Sequence, residues 1–136
     1  TICEADHLFA TRLWQNNSKV HFDINAREDK KRLIYGGHII SLVRALSFNG
    51  LENAQLIVGI NGGTHANPVF AEDTIYCWSE VLDKIDLNVR NIAALRLRSV
   101  GTKEKNHKMK LRSDDGKYLP TIVLDFDYWV LVPKEL

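Results

Sequence analysis

Cysteine is nearly absent from this sequence: Cys3 and Cys77 are the only two in 136 residues. A pair so placed does not build the disulfide framework that staples small secreted domains. Charge of one sign is missing too. With 18 basic against 17 acidic residues the formal charge is +1, which offers no electrostatic footprint for nucleic acid or anionic lipid. No apolar run approaches the length of a membrane span, and no basic-then-apolar signal pattern opens the sequence. Internal repeats, low-complexity tracts and a Gly-x-Ser-x-Gly nucleophile elbow are also lacking. These absences lead to the expectation of one soluble, cytoplasmic domain without nucleic-acid or membrane partners. What is present is ordinary for such a domain, 45% apolar and 26% charged. A chain of this length buries roughly two-thirds of its unfolded surface and can own a real core.

The order of elements restricts the fold. Thr1-Ile2-Cys3-Glu4 fits a capping box, with Thr1 as cap and Glu4 at the third helical position. Leu8, Phe9, Arg12 and Leu13 carry the helical period to about Trp14, and the polar run Gln15 to Ser18 ends it. Val20 to Asp23 reads as extended or turn-like, and 25–32 as a charged loop or exposed short helix. A second helix is predicted over about 38–49, closed by Asn49-Gly50. Only Ser41, Arg44 and Ser47 interrupt its apolar run from Ile39 to Phe48, so it must be buried nearly all round. Strands follow at 54–60, 73–86, 92–100 and 121–132, the last two alternating as half-buried antiparallel strands do. Two helices and then consecutive strands exclude a doubly wound α/β fold. The class is α+β: a long curved antiparallel sheet wrapped around one apolar helix, the arrangement called a hotdog fold.

Two places could carry chemistry. Asn16, Ser18 and His21 sit in a polar loop behind the first helix, where a histidine can exchange protons near neutrality and an asparagine amide can orient a water or a carbonyl. The alternative is a loop histidine satisfied by backbone, with Asn and Ser capping the turn. Gly36-Gly37 stands at the mouth of the buried helix, where unpaired amides can stabilise an oxyanion; the alternative is a tight turn that needs a positive φ. The segment Gly59-Ile60-Asn61-Gly62-Gly63 follows a strand but precedes no helix, so it is not a phosphate-cradling loop. His21, Asp23, His38 and His65 lie on three separate segments without ligand spacing, and no metal is expected. The basic run 103–112 reads either as a solvated hairpin loop or as a contact for a ligand's phosphate.

The stretches RLWQNNSKVHFD, LIYGGHIISLVRALSFNGL, INGGTHANPVFAEDTIYCWSEVLDK and YLPTIVLDFDYWVLVPK resemble the MaoC-like dehydratases over nearly the whole chain. The branch they are most similar to hydrates mesaconyl-CoA (2-methylfumaryl-CoA) to β-methylmalyl-CoA. The resemblance implies a hotdog fold and reversible addition of water to an enoyl-CoA thioester, with no cofactor beyond the CoA of the substrate. The family motif is aspartate, then asparagine, proline and an apolar residue, then a histidine five positions after the aspartate. Asn16 falls on the aspartate, Ser18 on the asparagine and His21 on the histidine, while Gly37 falls on the glycine whose amide faces the thioester oxygen. His21, Asn16 and Gly37 are thereby the implied catalytic residues. Ser18, Gly36, His38 and Arg44 are candidate substrate-binding residues, with Arg44 or Lys19 for the substrate's free carboxylate. Two departures stand out. Asn16 cannot transfer a proton, and Glu72 replaces the glycine that relatives carry before Asp73.

The branch consists of two fused hotdogs, so the chain resembles a C-terminal half lacking its first strand, to be completed by a fused second unit or a homodimer. Two other functions are carried forward. One is a hotdog acyl-CoA thioesterase with Asp23 or Glu28 activating water; the other is a scaffold half whose partner holds the catalytic pair.

Overall fold

The computed structural model describes residues 1–54, 56–89, 91–105 and 110–134. Helix α1 (Glu4–Leu13) leads through two 3-10 turns, Lys19–His21 and Ile24–Ala26, to helix α2 (Gly36–Leu46). Strands β1 (Leu56–His65), β2 (Tyr76–Val89), β3 (Ile92–Thr102) and β4 (Ile122–Pro133) form one sheet in the order β1-β4-β3-β2, every pair antiparallel. Alternation along β3 and β4 sorts the side chains by face. Leu97, Leu124, Phe126 and Tyr128 point into the core, where Ile39 and Val43 of α2 meet them. On the other face Arg96 forks onto Asp127 and Arg98 onto Asp125, with bonds of 2.6–2.9 Å, and Tyr118 donates to Asp125 as well. The helix lies close to the sheet because Gly101 has no side chain; a Cβ there would stand 2.8 Å from Val43 Cγ2.

Four expectations are corrected. The capping box at Thr1 does not form: Cys3 occupies the cap position without a side-chain bond, and Thr1 Oγ1 pairs with Thr74 Oγ1 at 2.8 Å. The cause is Ile2, which is buried and held extended by backbone bonds to Asp73 and Glu72, so the chain cannot turn at Thr1. The first strand does not end near 60 but runs on through Gly62 and Gly63 to His65, paired with β4 through two register shifts. Helix α2 begins at Gly36 rather than His38, and it is not buried all round within this chain. Ile39 and Val43 are buried, while Ser41, Ala45 and Leu46 are exposed. Phe48, beyond the helix, is 56% exposed. Glu72, for which the family resemblance implies glycine, adopts φ +71, the left-handed conformation for which glycine is the natural residue.

Apolar surface also remains uncovered on the sheet. Val81, Leu82, Ile85, Leu87 and Val89 of β2 are exposed, as are Leu56, Val58 and Ile60 of β1. Among the described residues, no helix is long and apolar enough to cross a membrane.

Candidate active site

A cavity of about 550 Å³ opens at the N-terminus of α2, and Asn16, His21, Tyr35, Gly36, Gly37 and His65 all contribute to its walls. Each arrives by a local device. Helix α1 stops in a Schellman arrangement, with Gln15 at φ +53, the Asn16 amide on Thr11 O at 3.0 Å and the Gln15 amide on Arg12 O at 3.1 Å. That turn directs Asn16 towards the cavity. Its Oδ1 accepts the Ser18 amide at 3.0 Å, which identifies Nδ2 as the donor end of the side chain.

His21 closes the 3-10 turn that follows. Its segment is tied to the strand-like approach to α2 by the Leu33 amide on Val20 O at 2.9 Å. His21 Nδ1 lies 2.8 Å from the Leu33 carbonyl. A carbonyl can only accept, so Nδ1 carries the proton and the Nε2 lone pair is left as the base.

At the helix mouth Tyr35 is the cap residue, and its carbonyl takes the amides of His38 at 3.0 Å and Ile39 at 3.3 Å. The Gly36 and Gly37 amides precede any intrahelical acceptor, which makes them donors at the positive end of the helix. The pair is not there for positive φ; the glycines with positive φ are Gly50 and Gly116. It is there for space. A side chain on Gly36 would fall on the His65 ring, and one on Gly37 would stand 2.6 Å from Tyr35 Cζ.

Other candidates are not brought to this place. Ser18 is exposed and contributes its backbone amide to the Asn16 turn. His38, on the first turn of α2, faces His7 at 6.2 Å between ring centres and does not line the cavity. Arg44 points into the fold, donating to Tyr128 Oη at 3.0 Å and Ala54 O at 2.7 Å with its guanidinium over the Tyr128 ring. Lys19 is exposed and off the cavity walls. Asp23 caps a 3-10 turn by accepting the Asn25 amide, and Glu28 is exposed. No carboxylate lines the cavity among the described residues. Of the basic run, residues 106–109 lie outside the described residues; Lys103 pairs with Asp73, Lys110 with Asp114, and Arg112 stacks on Tyr118.

Three site residues carry little signal in the sequence. Tyr35 is marked only by its place beside the glycine pair, His65 only as one of four scattered metal-ligand types, and His7 by nothing in its spacing. His7 is fully buried on α1, its Nε2 accepts the Tyr35 amide at 2.9 Å, and its ring centre lies 6.3 Å from that of His21. Burial, then the neighbouring imidazoles of His38 and His21, holds the His7 pKa down at about 4. Burial also lowers His38 and His65.

An acid-sensitive fold follows. Unfolded histidines take up protons below about pH 6.5, whereas folded His7 stays neutral until about 4. The unfolded state binds more protons across that window, so stability falls as pH drops through it. The loss from His7 is up to about 3 kcal/mol, from a shift of roughly 2.5 units at about 1.4 kcal/mol each. Urea melts between about pH 7 and pH 4.5 check this; equal midpoints at both ends would refute it.

The architecture is that of the MaoC-like hotdog dehydratases. A MaoC domain protein from Chloroflexus aurantiacus, assigned as a dehydratase, superposes with a TM-score of 0.93 at 50% identity, over 100% of this chain and 40% of that one. The (R)-hydratase of A. caviae involved in PHA biosynthesis shares the fold at 17% identity and a TM-score of 0.62. In sequence, the chain is 59% identical to the mesaconyl-CoA hydratase of Cereibacter sphaeroides and 52% identical to the β-methylmalyl-CoA dehydratase of Chloroflexus aurantiacus, each over 98% of its own length. It is thus a close homologue of one portion of these enzymes. It spans 39% and 40% of their lengths. No family model matches the chain.

Proposed function

We propose that this chain is a catalytic hotdog unit of an enzyme that adds water across the double bond of mesaconyl-CoA to give β-methylmalyl-CoA, and that catalyses the reverse dehydration. The observation that carries the reading is the meeting, in one cavity, of His21, whose Nδ1 is engaged by the Leu33 carbonyl, and the Gly36-Gly37 amides, with no carboxylate beside them among the described residues. His21 Nε2 takes a proton from water as the water oxygen bonds to the β-carbon. The π electrons move to the thioester, and the enolate oxygen is met by the helix-mouth amides. The imidazolium then returns its proton to the α-carbon and the carbonyl re-forms, so H and OH have been added in total. Asn16, which cannot exchange a proton, orients the water through Nδ2. No electrons leave the substrate, so no cofactor is assigned beyond its own CoA.

With Arg44 and Lys19 away from the cavity walls, His65 and Tyr35 are side chains on those walls that can donate a hydrogen bond to the free carboxylate. We read the chain, as the resemblance implies, as the C-terminal half of a two-hotdog protein; it spans 39% and 40% of the lengths of the two relatives. A second hotdog unit then covers the open side of α2 and the apolar surface of β2, and the reaction draws on the cytoplasmic CoA pool.

Mass analysis of mesaconyl-CoA after incubation with the intact protein tests this. A product heavier by one water, at turnover dependent on this chain, is the expected result. Release of free CoA would move the assignment to a thioesterase. Hydration indifferent to His21 would make this unit the scaffold half.

A further inference from the structure

We infer that His7 is a positioning residue for this site: it grips the Tyr35 amide and so aims the peptides of Gly36 and Gly37 and the ring of Tyr35 into the cavity. His7 is buried at 0% exposure, and its bond to Tyr35 joins α1 to the cap of α2 across 28 residues of sequence. An amide can only donate, so His7 Nε2 is unprotonated and the proton sits on Nδ1. That Nδ1 has no hydrogen-bond partner among the described residues. A buried donor left so is destabilising. Packing alone would favour an apolar residue here. What the imidazole supplies is an acceptor for the N–H of a cap residue, the part that a capping-box side chain plays from within its own helix.

The grip reaches both halves of the site. Tyr35, at φ -61 and ψ 130, sets the direction of the two peptides that follow. Its ring lies 5.9 Å from that of His21, and its Oη stands 2.7 Å from where a Gly37 Cβ would be. The charged and titratable groups around His7 are Glu4 with its partner Arg32, then His38 with Asp6 near it, and His21. A proton on Nε2 would abolish the grip and place a cation beside His21.

Two measurements on the intact protein test this, and only the second rests on the proposed hydration. Imidazole ¹⁵N spectra should show His7 protonated on Nδ1 alone at neutral pH; an Nε2-protonated His7 would overturn the inference whatever the enzyme's substrate. In kinetics, His7→Leu should lower kcat about 10- to 100-fold with KM changed by less than about threefold, because misplaced donors weaken the transition state more than the ground state. His7→Gln, whose Oε1 can accept the same amide, should recover kcat to within about fivefold. A folded His7→Leu protein with kcat within about twofold of wild type would refute the role. So would failure of a folded His7→Gln protein to exceed His7→Leu. If wild type hydrates nothing, the hydratase reading fails, and the spectra still decide on His7.

Discussion

Hydration of mesaconyl-CoA by the His21→Ala protein is expected to fall by about 10²- to 10⁴-fold, with the fold retained. The size follows from what is lost. His21 Nε2 is the one base assigned to the water, and Asn16, with no proton to exchange, does not stand in for it. A drop of that order corresponds to about 3–5 kcal/mol of transition-state stabilisation. The structural loss is smaller. Among the described residues the half-buried His21 ring makes one hydrogen bond, to the Leu33 carbonyl, and a bond of that kind contributes about 1 kcal/mol. The Leu33 amide on Val20 O and the Schellman turn at Asn16 hold the backbone without it. Steady-state kinetics beside a urea melt separate the two effects. A His21→Ala protein that turns over within about tenfold of wild type would remove His21 from the mechanism.

Much of the sheet could be read in advance because β3 and β4 announce themselves. Arg96 and Arg98 alternate with apolar residues, Asp125 and Asp127 do the same, and the four charges pair across the strands on the face away from the core. Strand β1 was read too short because its second half is glycine-rich, and glycine carries no pattern; pairing with β4 alone makes it a strand. Helix α1 misled in the opposite way. Its period was real, yet it exposes Phe9, Leu13 and Trp14 and buries His7 and Thr11. Periodicity finds a stripe and assumes that the apolar one turns inward. Here the inward face carries His7, whose ring accepts the Tyr35 amide, and Thr11, whose hydroxyl donates to the His7 carbonyl.

The site divides along the same line. Asn16, His21, Gly36 and Gly37 lie close in sequence to the turns that deliver them; Asn16, His21 and Gly37 could be read from the family motif and Gly36 from the glycine pair at the helix mouth. Arg44 looked like a spare cation in an apolar helix. Its partner Tyr128 lies 84 residues away, and no spacing rule connects the two. His65 reaches the cavity only because β1 runs on to its register with Leu124.

Gly37→Ala should separate the chemistry of the helix mouth from its stability. The added methyl would stand 2.6–2.7 Å from Tyr35 Cζ, Cε1 and Oη, so the phenol must swing away, and the Gly37 peptide shifts with it. Removing one donor from an oxyanion site lowers kcat by about 10²- to 10³-fold, and a displaced donor approaches that loss. The fold should feel little of this. The obstacle is the far end of one side chain, and alanine is favoured over glycine within a helix by about 1 kcal/mol. Gly101 offers the opposite case: its would-be methyl meets Val43, Val123 and the Leu124 Cβ, all packed in the core with nowhere to go. Thermal melts of Gly37→Ala should therefore stay within about 1–2 kcal/mol of wild type while hydration collapses. If the variant instead melts normally and turns over at the wild-type rate, the Gly37 amide does not hold the enolate oxygen, and the donor must be sought at Gly36.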